Sequence, residues 1–328
     1  MFRVTSPTKM DDRQLNRLIK RVVLLLTIGT IAFVGFYALD RWRPATAAIV
    51  DQRLSALEQQ VRDKPDDIVA RGTLADTYVA KERYEDAIVQ YNMILETGKE
   101  TELATYGRAG AYMGLGQLDN AATDYQVVVE IAKGGEMANV DPMLQAAYFS
   151  LGSIAMQQSK PAEAIPFLEK ALAIKRSDAD SLYLIGTAYT QTGKTDDAIA
   201  ALRRATDFVP IGWSEPYTAM ADAFTRAGKI AMAEWAGAMA DLAAGKPELA
   251  EPRLLAIANG EAAVDAAIGL GLLYETKGDT AAAADWYGKA LAKSPDNAAA
   301  RLGMSRVGPG ASALPALPTP GAPAESGS

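Results

Sequence analysis

At 328 residues, with 49% apolar and only 7% aromatic side chains, the chain has the composition of a globular, alanine-rich helical protein. It contains no cysteine and no histidine, which excludes disulfides, thiolate metal sites, cysteine nucleophiles and a lipidated cysteine, and removes the usual general base and the commonest metal ligand. The net charge of −7 is uneven: residues 1–21 carry six basic against two acidic side chains, leaving −11 for the remainder, a balance that repels nucleic acid and anionic headgroups.

The first predicted element, Val22 to Leu39, is eighteen residues without a charge. As a helix it would be about 27 Å long, close to the hydrocarbon thickness of a bilayer, which makes it a transmembrane candidate. Arg3, Lys9, Arg13, Arg17, Lys20 and Arg21 precede it, against Arg41, Arg43 and Arg53 after it. The positive-inside rule then puts the N-terminus (1–21) in the cytoplasm and everything after the helix across the inner or plasma membrane, a single-pass arrangement of bacterial type. A cleavable signal peptide would use the same stretch, with Ala45-Thr46-Ala47 as its site, and a buried helix is the third reading. The long apolar core and the Arg41, Arg43, Pro44 cluster favour an uncleaved anchor.

Residues 40–67 follow as a juxtamembrane helix with Leu54, Leu57 and Val61 on one face, closed by the turn Lys64-Pro65-Asp66-Asp67. Beyond it an alanine recurs at Ala87, Ala121, Ala164, Ala198, Ala233 and Ala283, at spacings of 34, 43, 34, 35 and 50 residues. Upstream of each stands a large-plus-small pair: Leu74-Ala75, Arg108-Ala109, Leu151-Gly152, Ile185-Gly186, Met220-Ala221, Leu270-Gly271. Tyr78, Tyr112, Ala155, Tyr189, Phe224 and Tyr274 follow that pair, and glycine punctuates many of the turns at Gly116, Gly193, Gly228 and Gly278.

Small residues at two fixed positions let paired helices approach closely while aromatics fill the space between pairs. One pair cannot bury its apolar face, so the units must stack. The pattern resembles the tetratricopeptide repeat, with its proline column kept only at Pro210 and Pro295. The resemblance implies an all-α, right-handed α-solenoid, preceded by the one N-terminal transmembrane helix, that works as a protein-binding scaffold.

Units fall near 68–101, 102–135, 145–178, 179–212, 214–247 and 264–297, the 43-residue second spacing being 34 plus a nine-residue insertion, roughly Gly134 to Pro142. Between the last two lies a degenerate half, 245–260. The helix from Ile230 to Ala244 is expected to serve two units at once, with an irregular packing angle. Residues 297–306 read as the end cap that solenoids need, and 307–328 as a disordered Pro/Ala/Gly-rich tail.

Gly193-Lys194-Thr195 looks like the end of a phosphate-binding loop. Six residues rather than four separate it from Gly186, and no strand precedes it, so no nucleotide is expected. Asp66-Asp67, Glu85-Asp86 and Asp196-Asp197 open helices, where negative charge complements the helix dipole. No catalytic residue, cofactor or metal is expected, and the chain is read as no enzyme.

In the repeat family the first helix of each pair lines a concave groove. Carried onto this sequence, one groove column reads Gly72, Tyr106, Phe149, Tyr183, Thr218, Ile268; the next reads Asp76, Gly110, Ser153, Thr187, Asp222, Leu272; the third reads Val79, Met113, Met156, Thr190, Thr225, Glu275. No lysine, arginine or asparagine occurs in them, so the family's carboxylate clamp is not expected. Tyr106, Met113, Phe149, Ser153, Met156, Tyr183 and Thr187 instead suit an apolar or amphipathic segment of a membrane-borne or exported protein partner. The alternative at these positions is packing between neighbouring first helices.

One unbroken superhelix with a single preformed groove is expected, acting as an adaptor or assembly factor. The competing reading is a structural subunit of a larger membrane complex, for which an apolar convex patch is expected; Arg203 and Arg204 argue for a solvated convex face near them. An enzyme would need a titratable cluster in the groove, and Asp76, Asp222, Arg226 and Glu275 are spread over too many units to form one.

Overall fold

The computed structural model describes residues 45–208 and 210–308. The 22–39 segment, the basic leader and most of the 307–328 tail lie outside the described residues. Among the described residues no helix is long and apolar enough to cross a membrane, and no strand occurs. The chain divides into two compact units that meet between Lys81 and Glu82.

The first unit contains α1 (Ala45–Asp63) and α2 (Ile68–Ala80). Leu54 and Val61 of α1 are buried, and Tyr78 Oη donates to Glu58 Oε1 at 3.0 Å. Asp67 caps α2, accepting the Ala70 N–H at 3.0 Å, and Arg71 reaches back to the Pro65 carbonyl at 2.7 Å. The turn is thereby fastened from both sides.

The second unit runs through α3 (Tyr84–Leu95), α4 (Thr101–Gly114), α5 (Leu118–Ala132), α6 (Pro142–Gln157), α7 (Pro161–Ile174), α8 (Ala179–Gln191), α9 (Thr195–Phe208), α10 (Glu215–Arg226), α11 (Ile230–Ala243), α12 (Pro247–Ile257), α13 (Ala263–Thr276), α14 (Thr280–Lys293) and α15 (Ala298–Val307). A single 3₁₀ turn, Ala138–Val140, occupies the insertion before α6, and Asp141 caps α6 ahead of Pro142.

Helices pack as α4 on α5, α6 on α7, α8 on α9, α10 on α11 and α13 on α14. The alanine column is where they close: Ala121, Ala164, Ala198 and Ala283 are fully buried. Opposite, a Cβ added to Gly186 would stand 2.6 Å from Leu202 Cγ, and one added to Gly152 would stand 2.6 Å from Leu168 Cγ. Glycine there is a condition of the helix separation.

The turns repeat one motif. Gly193 has φ +77°, and the Lys194 N–H reaches the Tyr189 carbonyl at 2.9 Å, the six-residue closure of a helix C-terminus. The α6–α7 turn makes the same closure, Lys160 to Ala155 at 2.8 Å, with Ser159 rather than glycine at φ +59°.

The stack changes hand of use at α11. First helices α6, α8 and α10 touch in succession, forming one layer. Beyond α10 that succession passes to α11, which touches α13, and α13 touches α15. Helix α11 packs against α10, α12 and α13, so it is second helix to one pair and first helix to the next. An odd number of helices has been inserted. The layer made of second helices α9 and α11 therefore continues into the layer made of first helices α13 and α15. The helices pack in unbroken succession, but the expectation of a single groove lined by first helices throughout is corrected: the last unit presents its first helices on the opposite face.

Candidate functional site: two opposite faces

The seven sequence-predicted groove residues are all half-buried. Tyr106 stands edge-on to Tyr125, ring centroids 5.5 Å apart, and burial pushes its hydroxyl pKa up. Tyr106, Met113 and Phe149 rest on the core of α5 and α6, and Phe149 also reaches the α7–α8 core with Met156. Tyr183 is edge-on to Trp213 at 5.4 Å. The Thr187 hydroxyl donates to the Tyr183 carbonyl at 3.0 Å, and Ser153 Oγ accepts a long contact of 3.4 Å from Gln157. The structure therefore brings Tyr106, Phe149 and Tyr183 onto successive first helices with one side in the core and one in solvent. Packing and an accessible face coexist at the same rings.

All three columns need correction at some position. Thr190 is buried, its hydroxyl donating to the Gly186 carbonyl at 2.9 Å, so it lines no groove. Ile268, Leu272 and Glu275 belong to the other face. Glu275 accepts two bonds from Arg306, at 2.6 and 2.8 Å, and one from Tyr287 Oη at 2.8 Å, which fastens α15 to α13. Asp222 pairs locally with Arg226 at 2.9 Å.

On that other face a recess of about 530 Å³ opens between α9, α11, α13 and α15. Arg203 enters it from α9: its guanidinium lies 5.0 Å from the Trp235 ring and bonds Asp265 Oδ1 at 3.1 Å. Arg203 is therefore not the solvated convex residue the sequence implied; the turnover of layers at α11 has put α13 beside it. Trp235 donates from Nε1 to the Asp265 carbonyl at 3.0 Å and meets Tyr217 and Phe224 edge-on. Burial pushes the Tyr217 hydroxyl up to about 12. Asp207, Ile268 and Leu272 also line the recess.

Sequence reasoning missed this site, although it left a signal. Trp235 and Met239 stand two and six residues after Ala233. In the other second helices of this unit the same positions, among them Val89, Met93, Thr123, Val127, Pro166, Lys170, Ala200 and Arg204, are exposed. In α11 both are buried, 8% and 3% exposed. Large apolar residues in a column otherwise left to solvent mark a helix covered on both sides.

A furrow of about 540 Å³ crosses α8 between α7 and α9. Its Tyr189 hydroxyl donates to Glu169 Oε1 at 3.0 Å and is pushed up to about 12 by burial and by that carboxylate. Among the described residues no cluster of three or more Asp and Glu side chains is placed to hold a metal.

Models of the tetratricopeptide repeat match residues 73–136, 155–211 and 236–298, together more than half of the chain. The chain belongs to the tetratricopeptide repeat family. The third matched segment includes α12.

Among solved structures, the C-terminal part of a TPR repeat-containing protein from Cytophaga hutchinsonii is similar at 16% identity and TM-score 0.51, over 79% of this chain and 96% of that one. MamA residues 41 to the end from Desulfovibrio magneticus RS-1 is similar at 18% identity and TM-score 0.48, over 54% and 95%. YrrB, described as a TPR protein with an unusual peptide-binding site, is similar at 15% and 0.42, over 76% and 98%. At these identities the likeness is one of fold. No curated protein sequence matches the chain. Tetratricopeptide repeats generally mediate protein–protein interactions and are typically not enzymes.

Proposed function

We propose that the protein is a membrane-tethered adaptor or assembly factor that binds apolar or amphipathic segments of partner proteins on the face formed by α4, α6, α8 and α10. The single observation that carries this reading is the row Tyr106, Phe149, Tyr183: three rings on successive first helices, each anchored in the core and each partly open to solvent. Such rings offer contact area at small entropic cost, and Met113 and Met156 beside them adapt to varied side chains.

The tether is the uncharged 22–39 segment, with the N-terminus cytoplasmic and the repeats extracytoplasmic. Confinement to the membrane surface raises the effective concentration of the groove for membrane-borne or newly exported partners. A photo-crosslinking probe at Phe149, used in cells with Arg204 as the comparison, tests the reading. A discrete protein adduct from Phe149 alone supports it, and silence at Phe149 overturns it.

A second reading, subunit of a larger membrane complex, is favoured by a different observation. Val89 and Met93 on α3 and Val127 and Ile131 on α5 are 41–49% exposed on second helices. Burying such a patch would favour a permanent partner. A probe at Val127 that alone yields a stoichiometric adduct decides for it.

A further inference from the structure

The recess between α9, α11, α13 and α15 carries more than its apolar walls suggest, because one of its carboxylates has no bonded partner. Arg203 is neutralised by Asp265 and Arg306 by Glu275. Arg204, the other cation near Asp207, spends its guanidinium on the Arg176 carbonyl at 2.8 Å. Asp207 is left with no ion pair or hydrogen bond among the described residues, at the edge of a cavity walled by Trp235, Ile268 and Leu272.

We propose that this recess is a second binding site, opposite the groove, which takes a lysine or arginine side chain from a partner segment, the cation meeting Asp207 and the aliphatic stem lying on Trp235, Ile268 and Leu272.

Three observations favour a cation on an apolar stem. Asp207 is the lining carboxylate left without a bonded cation, Asp265 being held by Arg203. Desolvation raises the pKa of Asp207, with Arg203 and Arg204 pulling weakly the other way, a cost that an incoming cation relieves. The walls are hydrocarbon and aromatic, the surface on which long basic side chains lay their stems. The volume, about 530 Å³, admits such a side chain with its flanking backbone. An anionic segment would meet Asp207 and a chain that carries −11 outside its leader.

The inference rests on the reading that the chain binds protein segments, and the test separates the two. A phage-displayed library of random twelve-residue peptides is panned against the full-length protein and against Asp207→Asn and Phe149→Ala. The expected result is a family of peptides with one fixed basic residue flanked by apolar ones, kept by Phe149→Ala and weakened about tenfold by Asp207→Asn, the value of one charged hydrogen bond. Asp207→Glu restores binding. Asp207 lies at the rim, so far-ultraviolet dichroism of the Asn variant stays that of the parent.

A basic family lost in Phe149→Ala and kept in Asp207→Asn overturns the second site and leaves the groove. Peptides with no basic preference do the same. A library that yields no peptide overturns both readings.

Discussion

Arg203 of α9 and Asp265 of α13, 62 residues apart in the sequence, meet at 3.1 Å. In a regular array a second helix and a first helix lie in opposite layers. Here they share one, because α11 is counted twice. The Trp235 ring between them is the physical pivot: it receives the Arg203 guanidinium on its face and donates to the Asp265 backbone.

That pivot predicts an ordered pair of costs. Trp235→Ala removes a buried ring and its hydrogen bond, and is expected to cost about 3–5 kcal/mol. Arg203→Ala removes a partly exposed ion pair and a cation–π contact, and is expected to cost about 1 kcal/mol. Hydrogen exchange locates the effect: Trp235→Ala should raise exchange in α13 to α15 and leave α4 to α8 protected, since repeats couple chiefly to their neighbours. Uniform loss along the array would contradict this account of the pivot.

The repeat columns were legible because each rests on a local steric need. Ala121, Ala164 and Ala198 must be small where helices cross, and Leu168 and Leu202 fill the hollows above Gly152 and Gly186. The half-buried row Tyr106, Phe149, Tyr183 followed from the same register. That the Ile230 to Ala244 helix serves two pairs was legible and is what the contacts show, but the second face it creates was not, since that depends on the parity of helices rather than on any column. Gly245-Lys246-Pro247 marked an irregular half but not that it turns the layers over. Asp265 and Asp207 belong to no repeat column, and they line one recess with Trp235 only because of how α11 is placed.

Arg108 stands where other units carry Leu151, Ile185, Met220 or Leu270, yet it is accommodated. Its guanidinium makes two bonds to Asp124, at 2.7 and 2.8 Å, and one to Asn92 at 2.6 Å. The Asp124 side chain is 7% exposed and that of Arg108 24%. Removing one partner strands the other, so Asp124→Ala is expected to cost about 3 kcal/mol. The double variant Arg108→Leu with Asp124→Ala restores the apolar pair of the other units and should recover most of the loss. Urea denaturation of the four corners of this cycle measures it; an additive cycle would refute the coupling.

Ser159 holds a left-handed turn that glycine holds at Gly193 and Gly228. A Cβ in that region strains the backbone, and Ser159→Gly relieves the strain at the expense of unfolded-state entropy. The net expectation is a gain of about 0.5 kcal/mol, with Gly193→Ala losing about 1 kcal/mol at the equivalent turn. Thermal melts of the two variants should move in opposite directions. A destabilised Ser159→Gly would mean that the serine hydroxyl contributes more than the backbone strain removes.

Acid should loosen the array at α8 in particular. Burial alone would raise the Asp178 carboxyl, but Lys175 Nζ at 2.8 Å and the Ser181 hydroxyl and N–H at 2.7 and 3.1 Å hold it below its ordinary value of 3.8. A carboxyl depressed by folding contributes stability that is complete above its ordinary value and is lost as pH falls through the folded one. The loss therefore begins below 3.8. It falls on the first turn of α8, where Ser181 is fully buried and has no other bond to offer the cap. In Asp178→Asn the amide oxygen still caps the helix but no longer titrates or attracts Lys175. Hydrogen exchange of the α8 amides from about pH 5 to about pH 2, corrected for intrinsic rates, should show a fall in protection in the parent and a flatter profile in Asp178→Asn. Equal acid profiles would assign the loss to other carboxylates.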